Sequence, residues 1–276
     1  MKINHKAIYK LYYSFTLCLL MLSSCAKDKN GDRLIFSIED DKTLGLQVTS
    51  EVDSTYQAQG KLIERNDPRY SEAYQHLDRM VETILNSGQV AYRSEFDWDV
   101  TLIKDDSVLN AFATPAGHIY VFTGLIKYLD NEDQFAGVLG HEIAHADKRH
   151  TTKQLQTQYG IALLLSVATG NNPGTLAQIA TGLAGLKFSR DAEAEADNFS
   201  VVYLGGTNKY ACNGAAGFFV KMQNENQGSG SPEFLSTHPD PGNRVAAINA
   251  KAQEIGCSTA TTGNQQYEQF KASLNR

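Results

Sequence analysis

The stretch His141-Glu142-Ile143-Ala144-His145 decides how this chain is read. Residues four apart lie on one face of an α-helix, so His141 and His145 can present two imidazole nitrogens to a single ion, and zinc suits that donor pair best. Glu142 sits about 100° around the helix from His141. Its carboxylate is then off the ion yet close enough to take a proton from a water beside it, the position of a general base. The residues upstream support a helix. Asn131 can cap its start with Gln134 as reciprocal partner, and Phe135, Val138, Leu139 and Ile143 follow at roughly helical spacing. Gly140, directly before His141, lowers helix propensity and leaves room for another element to pack close to the metal face.

A structural zinc site is closed by four protein ligands, whereas a catalytic one keeps three and an open position. The segment Ser189-Arg-Asp-Ala-Glu-Ala-Glu-Ala-Asp-Asn-Phe199 is Ala-rich, acidic and reads as helix. Glu193 and Asp197 are one turn apart, which suits Glu193 as third ligand and Asp197 as acceptor of the free N–H of a ligating histidine, fixing its tautomer. Glu195 is expected to point elsewhere. Alone, such a segment reads as a solvated acidic face; beside the histidine pair, the metal reading takes precedence.

Four blocks together resemble metallopeptidase family forty-eight, the group of the HtpX-type membrane proteases, the CAAX prenyl endopeptidases and the periplasmic lipoprotein proteases. They are Asn110 to Leu125, His141 to His145 with Arg149-His150, Ser189 to Asp197, and Ser236-Thr-His-Pro-Asp-Pro-Gly-Asn-Arg244. The likeness spans about residues 36 to 255. Ala116 departs from it, since the family more often has Gly in a Pro-Gly-Gly turn, and this bears on turn geometry rather than chemistry. The resemblance implies one zinc ion per chain held by His141, His145 and Glu193, with Glu142 as catalytic base and Asp197 as orienting carboxylate. It also implies a zincin-like α+β fold, mostly helical with a small antiparallel sheet, in which the HExxH helix meets a second metal-ligand helix.

Val108 to Ala113 is β-prone and is followed by Pro115-Ala116-Gly117 and a second strand from His118 to Phe122, the pattern of a hairpin. A protease can receive an extended peptide by adding it to such an edge, which marks Asn110, Ala111, Phe112 and Ala113 as candidate substrate contacts. His238 lies in a Pro- and Gly-rich loop, Ser231 to Gly242. Three readings are open: it donates to the oxyanion of the tetrahedral intermediate, it fills the open zinc position and holds the enzyme latent, or it caps the following helix. Arg244 could anchor the loop through a carboxylate. His150 falls off the metal face, and His76 and His118 lack ligand spacing.

At the N-terminus, Lys2, Lys6 and Lys10 precede an apolar run from Leu11 to Leu22 that ends in Leu22-Ser23-Ser24-Cys25. Residues 1–24 read as a secretory leader. The last four residues resemble the bacterial lipobox, which implies cleavage before Cys25, diacylation of its thiol, and a lipid anchor on a membrane outside the cytoplasm. Ala26, by analogy with Gram-negative lipoproteins, favours the outer membrane. The competing reading is an uncleaved anchor, although the run is shorter than the ~20 residues a span needs. The leader takes three lysines and no acids with it, so the formal charge goes from −6 to −9, which disfavours nucleic acid as a partner. Cys212 and Cys257 then remain, and in an oxidising periplasm an even pair reads as a disulfide, against two separate buried thiols.

The expected organisation is a lipidated tether over 25–35, one metallopeptidase domain over 36–256 and a polar C-terminal tail over 257–276. Helices are predicted over Glu39–Leu62, Tyr70–Leu85, Ala211–Asn224 and Pro241–Ile255, and strands over Trp98–Ile103, Val108–Ala113 and His118–Phe122. Gly160 to Leu186 is rich in Ala, Leu and Gly and reads as two buried helices packed closely at their glycines. A metalloendopeptidase acting on unfolded or misassembled envelope polypeptides is the functional expectation that the resemblance carries. The alternative is a periplasmic chaperone or assembly scaffold whose zinc site is latent.

Overall fold

Helix α1 (Ile38–Ala58) opens with Glu39, Asp40 and Asp41 in its first turn, where the helix dipole favours negative charge. Gly60, in the left-handed region at φ 67°, turns the chain after it. The helix expected to reach Leu62 therefore ends sooner, and Leu62 instead begins β1 (Leu62–Ile63). Helix α2 (Ser71–Leu85) buries Ala73, Tyr74, Leu77, Met80, Val81, Ile84 and Leu85 at helical spacing. Strands β2 (Asp99–Ile103), β3 (Ala111–Ala113) and β4 (His118–Phe122) follow. The computed structural model describes residues 29, 36–225, 233–239 and 243–275. The leader, Cys25, the tether apart from residue 29, and residues 231, 232 and 240–242 of the His238 loop lie outside them. The chain divides into Met1–Ser37 and Ile38–Arg276, and every element named here belongs to the second unit.

The sheet runs β1-β2-β4-β3. Its β1–β2 and β3–β4 pairings are antiparallel, the latter being the expected hairpin, but β2 and β4 run parallel. The sheet is thus mixed rather than wholly antiparallel. Parallel neighbours need a crossover, and residues 104–117 supply it while contributing β3 as a short outer strand.

Helix α3 (Thr123–Tyr128) leads into α4 (Glu132–Asp147), every residue of which is buried. Asn131 caps α4 by accepting from the Gln134 amide at 2.9 Å, while the Gln134 side chain accepts from Asp130 N, one residue before the expected partner. Then come α5 (His150–Tyr159), α6 (Ile161–Ala168), α7 (Pro173–Gly182), α8 (Arg190–Thr207), α9 (Gly214–Glu225), α10 (Glu233–Thr237), α11 (Arg244–Ile255) and α12 (Gln265–Ser273). Helix α4 packs against both α8 and α9. Two of its glycines permit this: a methyl at Gly140 would meet Ser200 Oγ of α8 at 2.8 Å, and one at Gly137 would collide with the backbone of Ala215 in α9.

Two expectations are corrected. The glycines of 160–186 do not mediate close packing among the described residues: a methyl group added at Gly160, Gly170, Gly174, Gly182 or Gly185 would meet none of them within 4 Å. Helices α6 and α7 instead bury one side each, through Leu164, Val167 and Ala168 and through Ile179 and Ala180. Residues 257–276 are not merely a polar tail: α12 seats Tyr267 and Phe270 in the core, with Leu274 just beyond it, and the Tyr267 hydroxyl donates to Ile126 O at 2.7 Å. Cys212 and Cys257 are bonded, with their Cα atoms 6.2 Å apart. Among the described residues no helix is long and apolar enough to cross a membrane.

The turn before β4 carries the strain that the sequence foreshadows. Ala116 is left-handed at φ 63°, a conformation that costs an L-residue about 1–2 kcal/mol. Ala116→Gly should therefore stabilise the protein by up to about 1 kcal/mol, after allowing for the freer unfolded chain. A urea midpoint that falls in this variant would refute the strain.

Candidate metal centre and active site

Helix α4 aims His141 and His145 to the same side, and α8 crosses it to bring up Glu193. His238, just past the end of α10, closes the group. Nε2 of His141 lies 3.0 Å from Nε2 of His145 and 3.3 Å from Nδ1 of His238. Glu193 Oε1 is 3.1 Å from that Nδ1 and 3.4 Å from His145 Nε2, and its Oε2 is 3.4 Å from His141 Nε2. Among the described residues these four form the group able to hold a metal ion, and all are buried.

The spacing fits zinc. Four donors about 2.0–2.1 Å from a tetrahedral centre stand about 3.3–3.4 Å from one another, and the five separations above run from 3.0 to 3.4 Å. The donor chemistry agrees. His141 Nδ1 faces Asp197 Oδ1 at 2.9 Å, so its proton belongs there and the Nε2 lone pair turns inward. Two ring nitrogens 3.0 Å apart need a proton or a metal cation between them.

Electrostatics point the same way. Burial works against charge on His141, but Asp197 and Glu193 outweigh it and lift its pKa to about 9. Burial would raise Glu193, yet His238, His141 and His145 hold its carboxyl far below the usual range. Burial pushes His145 well below its ordinary value, keeping it neutral as a ligand must be. The cavity thus favours one positive charge among fixed carboxylates.

Asp197 is in turn gripped by Arg244, the first residue of α11, whose Nε donates to Oδ2 at 2.7 Å and Nη2 to Oδ1 at 2.6 Å. Burial alone would raise Asp197, but His141 and Arg244 hold it low. Arg244 Nη1 also donates to the backbone oxygen of His238 at 3.2 Å and lies 3.2 Å from Glu193 Oε2. Arg244 therefore anchors the His238 segment, as its position in the sequence suggests. Asn243, not His238, caps α11, accepting from Ala246 N at 3.1 Å.

Glu142 points beside the four donors rather than among them. It is fully buried, neither oxygen accepts a hydrogen bond from the described residues, and burial raises its carboxyl above the usual range. His238 Nε2 stands 3.7 Å from Oε1. Two aromatic rings wall the centre: Phe188 stacks on His145 with centroids 4.0 Å apart, and Phe234 stacks on His238 at 4.3 Å.

The candidate substrate contacts Asn110, Ala111, Phe112 and Ala113 are buried. Strand β3 is the outer strand of the sheet, as expected, and packs against α4. Its flank is partly covered, because Asn110 Nδ2 donates to Ala184 O at 2.9 Å. Two further residues escape the sequence reading. His150 reaches His145, and Glu195 reaches His150, at 3.0 and 3.2 Å. The helical wheel misleads because α4 ends at Asp147 and Arg149, left-handed at φ 59°, restarts the helix at a new angle.

The comparisons with known proteins agree with this geometry. The model of peptidase family M48 matches residues 71–252, and the chain belongs to that family of metallopeptidases. It is 29% identical over 220 residues to the mitochondrial metalloendopeptidase OMA1 of Schizosaccharomyces pombe, covering 77% of this chain and 61% of the relative. The zebrafish (Danio rerio) OMA1 metalloendopeptidase is 31% identical over 207 residues, 68% of this chain and 42% of its own. A beta-barrel assembly-enhancing protease of Escherichia coli is 28% identical over 206 residues, 69% of this chain and 40% of its own. The matches thus cover less than two thirds of the length of these curated relatives. They support a peptidase role.

Zinc added to the purified full chain should bind at one equivalent and stabilise it by about 2.7 kcal/mol when free metal is a hundred times Kd. Chelation should reverse the gain, and Glu193→Gln should weaken binding by more than about tenfold. Unchanged affinity in that variant would remove Glu193 from the ligand set.

Proposed function

We propose that the chain is a zinc-dependent metalloendopeptidase of the bacterial cell envelope, held to a membrane by lipid at Cys25, whose centre rests in a latent state. The observation that carries this reading is the buried His141, His145, Glu193 and His238 group with the unbonded Glu142 carboxylate beside it. When bound, zinc supplies a Lewis acid for the scissile carbonyl and lowers the pKa of a coordinated water toward about 7. Glu142 accepts the proton of the attacking water and returns it to the leaving amine. Asp197 holds His141 in the tautomer that presents Nε2, and Arg244 fixes Asp197.

His238 is the regulated element of this proposal. Its Nδ1 stands within the donor set, where it would take the position that a catalytic zinc site leaves open. Substrate turnover then requires His238 to withdraw, and His238→Ala should raise proteolysis of an unfolded protein. A loss of two to three decades would instead make His238 an oxyanion donor. Glu142→Gln should keep its zinc while losing cleavage; cleavage at the wild-type rate would refute the base.

For substrates we infer extended segments of unfolded or misassembled envelope polypeptides, added along β3 at Asn110 to Ala113. The name of the Escherichia coli relative, a beta-barrel assembly-enhancing protease, supports a role in envelope protein quality control. Periplasmic exposure and anchorage in the outer membrane belong to the same proposal. A second reading, a chaperone or assembly scaffold with a latent zinc site, is favoured by the place of His238 within the donor set. Complementation of a deletion strain by Glu142→Gln would select the scaffold over the protease.

A further inference from the structure

The centre has two histidine ligands on α4, and their outward nitrogens meet different partners. His141 Nδ1 faces the buried, Arg244-bound carboxylate of Asp197. Among the described residues His145 Nδ1 meets no carboxylate. It lies 3.0 Å from Nδ1 of His150, whose Nε2 lies 3.2 Å from Glu195 Oε2. We propose that Glu195 and His150 form a relay that positions His145 for the metal, with His150 as a positioning residue that none of the sequence motifs marks for this task.

The relay acts by proton placement. A carboxylate can only accept, so Glu195 places the ring proton of neutral His150 on Nε2. His150 Nδ1 is then an acceptor, and it places the proton of His145 on Nδ1. That leaves the His145 Nε2 lone pair directed at His141, Glu193 and the ion. The opposite tautomer would set His150 Nε2 as a bare acceptor against a carboxylate and put a proton on His145 Nε2, inside the donor group. Each link excludes the wrong arrangement at the next.

The backbone is arranged for the contact. His150 is the first residue of α5, and the left-handed Arg149 swings its ring back beneath the HExxH helix, where it is 3% exposed. Helix α8 therefore serves both ligands of α4: Asp197 acts on His141 directly and Glu195 acts on His145 through His150. The arms differ in setting, because the side chain of Asp197 is 4% exposed and that of Glu195 is 44% exposed. One orienting charge is sealed in the core, and the other stands at the surface.

This inference rests on reading the cluster as a metal centre, and the test separates the two. Zinc affinity, measured by competition with a chromophoric chelator, and the ligand-field spectrum of the cobalt-substituted full chain are compared among wild type, His150→Phe, His150→Asn and Glu195→Ala. The phenylalanine keeps a buried ring but removes the acceptor, and should weaken zinc about 10–100-fold and shift the cobalt bands. The asparagine can offer an amide oxygen at the δ position, so it should recover most of the affinity and the wild-type spectrum, which a purely structural role for the ring would not produce. Glu195→Ala, at a half-exposed position that folding tolerates, should shift the bands and weaken zinc by a smaller factor. Wild-type affinity and spectrum in His150→Phe, or equal losses in the phenylalanine and asparagine variants, would overturn the relay. If His150→Phe does not fold, an unaltered Glu195→Ala overturns it alone. A wild-type chain that binds no zinc would bring down the metal centre and the relay together, whereas binding matched by every variant removes only the relay.

Discussion

The carboxylate of Asp197 is the fixed point on which the rest of this molecule depends. It takes two hydrogen bonds from Arg244 and faces His141 Nδ1, all within the core. Removing one partner of such a buried pair leaves an uncompensated charge, at a cost of about 3–5 kcal/mol. Three helices meet there, because His141 belongs to α4, Asp197 to α8 and Arg244 to α11. The arrangement also reaches the His238 segment, since the same guanidinium holds the His238 backbone oxygen. One ion pair thus orients a proposed ligand and docks the residue proposed to block the site.

Much of this was legible in the sequence, because it follows from helix periodicity. The i, i+4 spacing within α4 and within α8 puts His141 with His145, and Glu193 with Asp197, on shared faces, and the structure brings those faces together. What stayed illegible depended on breaks in periodicity. His150 looks misaligned only if α4 is continued past Asp147, and Glu195 looks misdirected only if α8 is taken to serve one neighbour. Along α12 and its C-cap, Tyr267, Phe270 and Leu274 do follow the i, i+3, i+7 rule, but the surrounding Gln, Glu, Lys and Asn residues dilute the signal. The parallel pairing of β2 with β4 was hidden for another reason. Strand character can be read locally, whereas the direction of a partner depends on where the 104–117 crossover returns the chain.

Access to the centre is shaped by the segment between α7 and α8. Ala184 accepts the Asn110 side chain beside β3, and four residues later Phe188 stacks on His145. One short stretch therefore covers both the strand proposed to receive substrate and a ligand of the proposed metal. Phe234 also lies against the cluster, stacked on His238 and close to His141. These rings exclude water from the charges between them, which strengthens every electrostatic interaction there.

The Cys212–Cys257 bond acquires a further meaning from what it encloses. Its ends stand 45 positions apart in the sequence, and the segment they close contains α9, α10 and α11, hence both His238 and Arg244. Any departure of His238 from the cluster is then the excursion of a covalently closed ring, pinned at its base whatever happens at its crown. Its return is a unimolecular event, independent of protein concentration, and much of the closure entropy that an open chain would lose on re-forming the site has already been removed. Such a ring would make the proposed release of the imidazole repeatable, because the path back is as short as the path out.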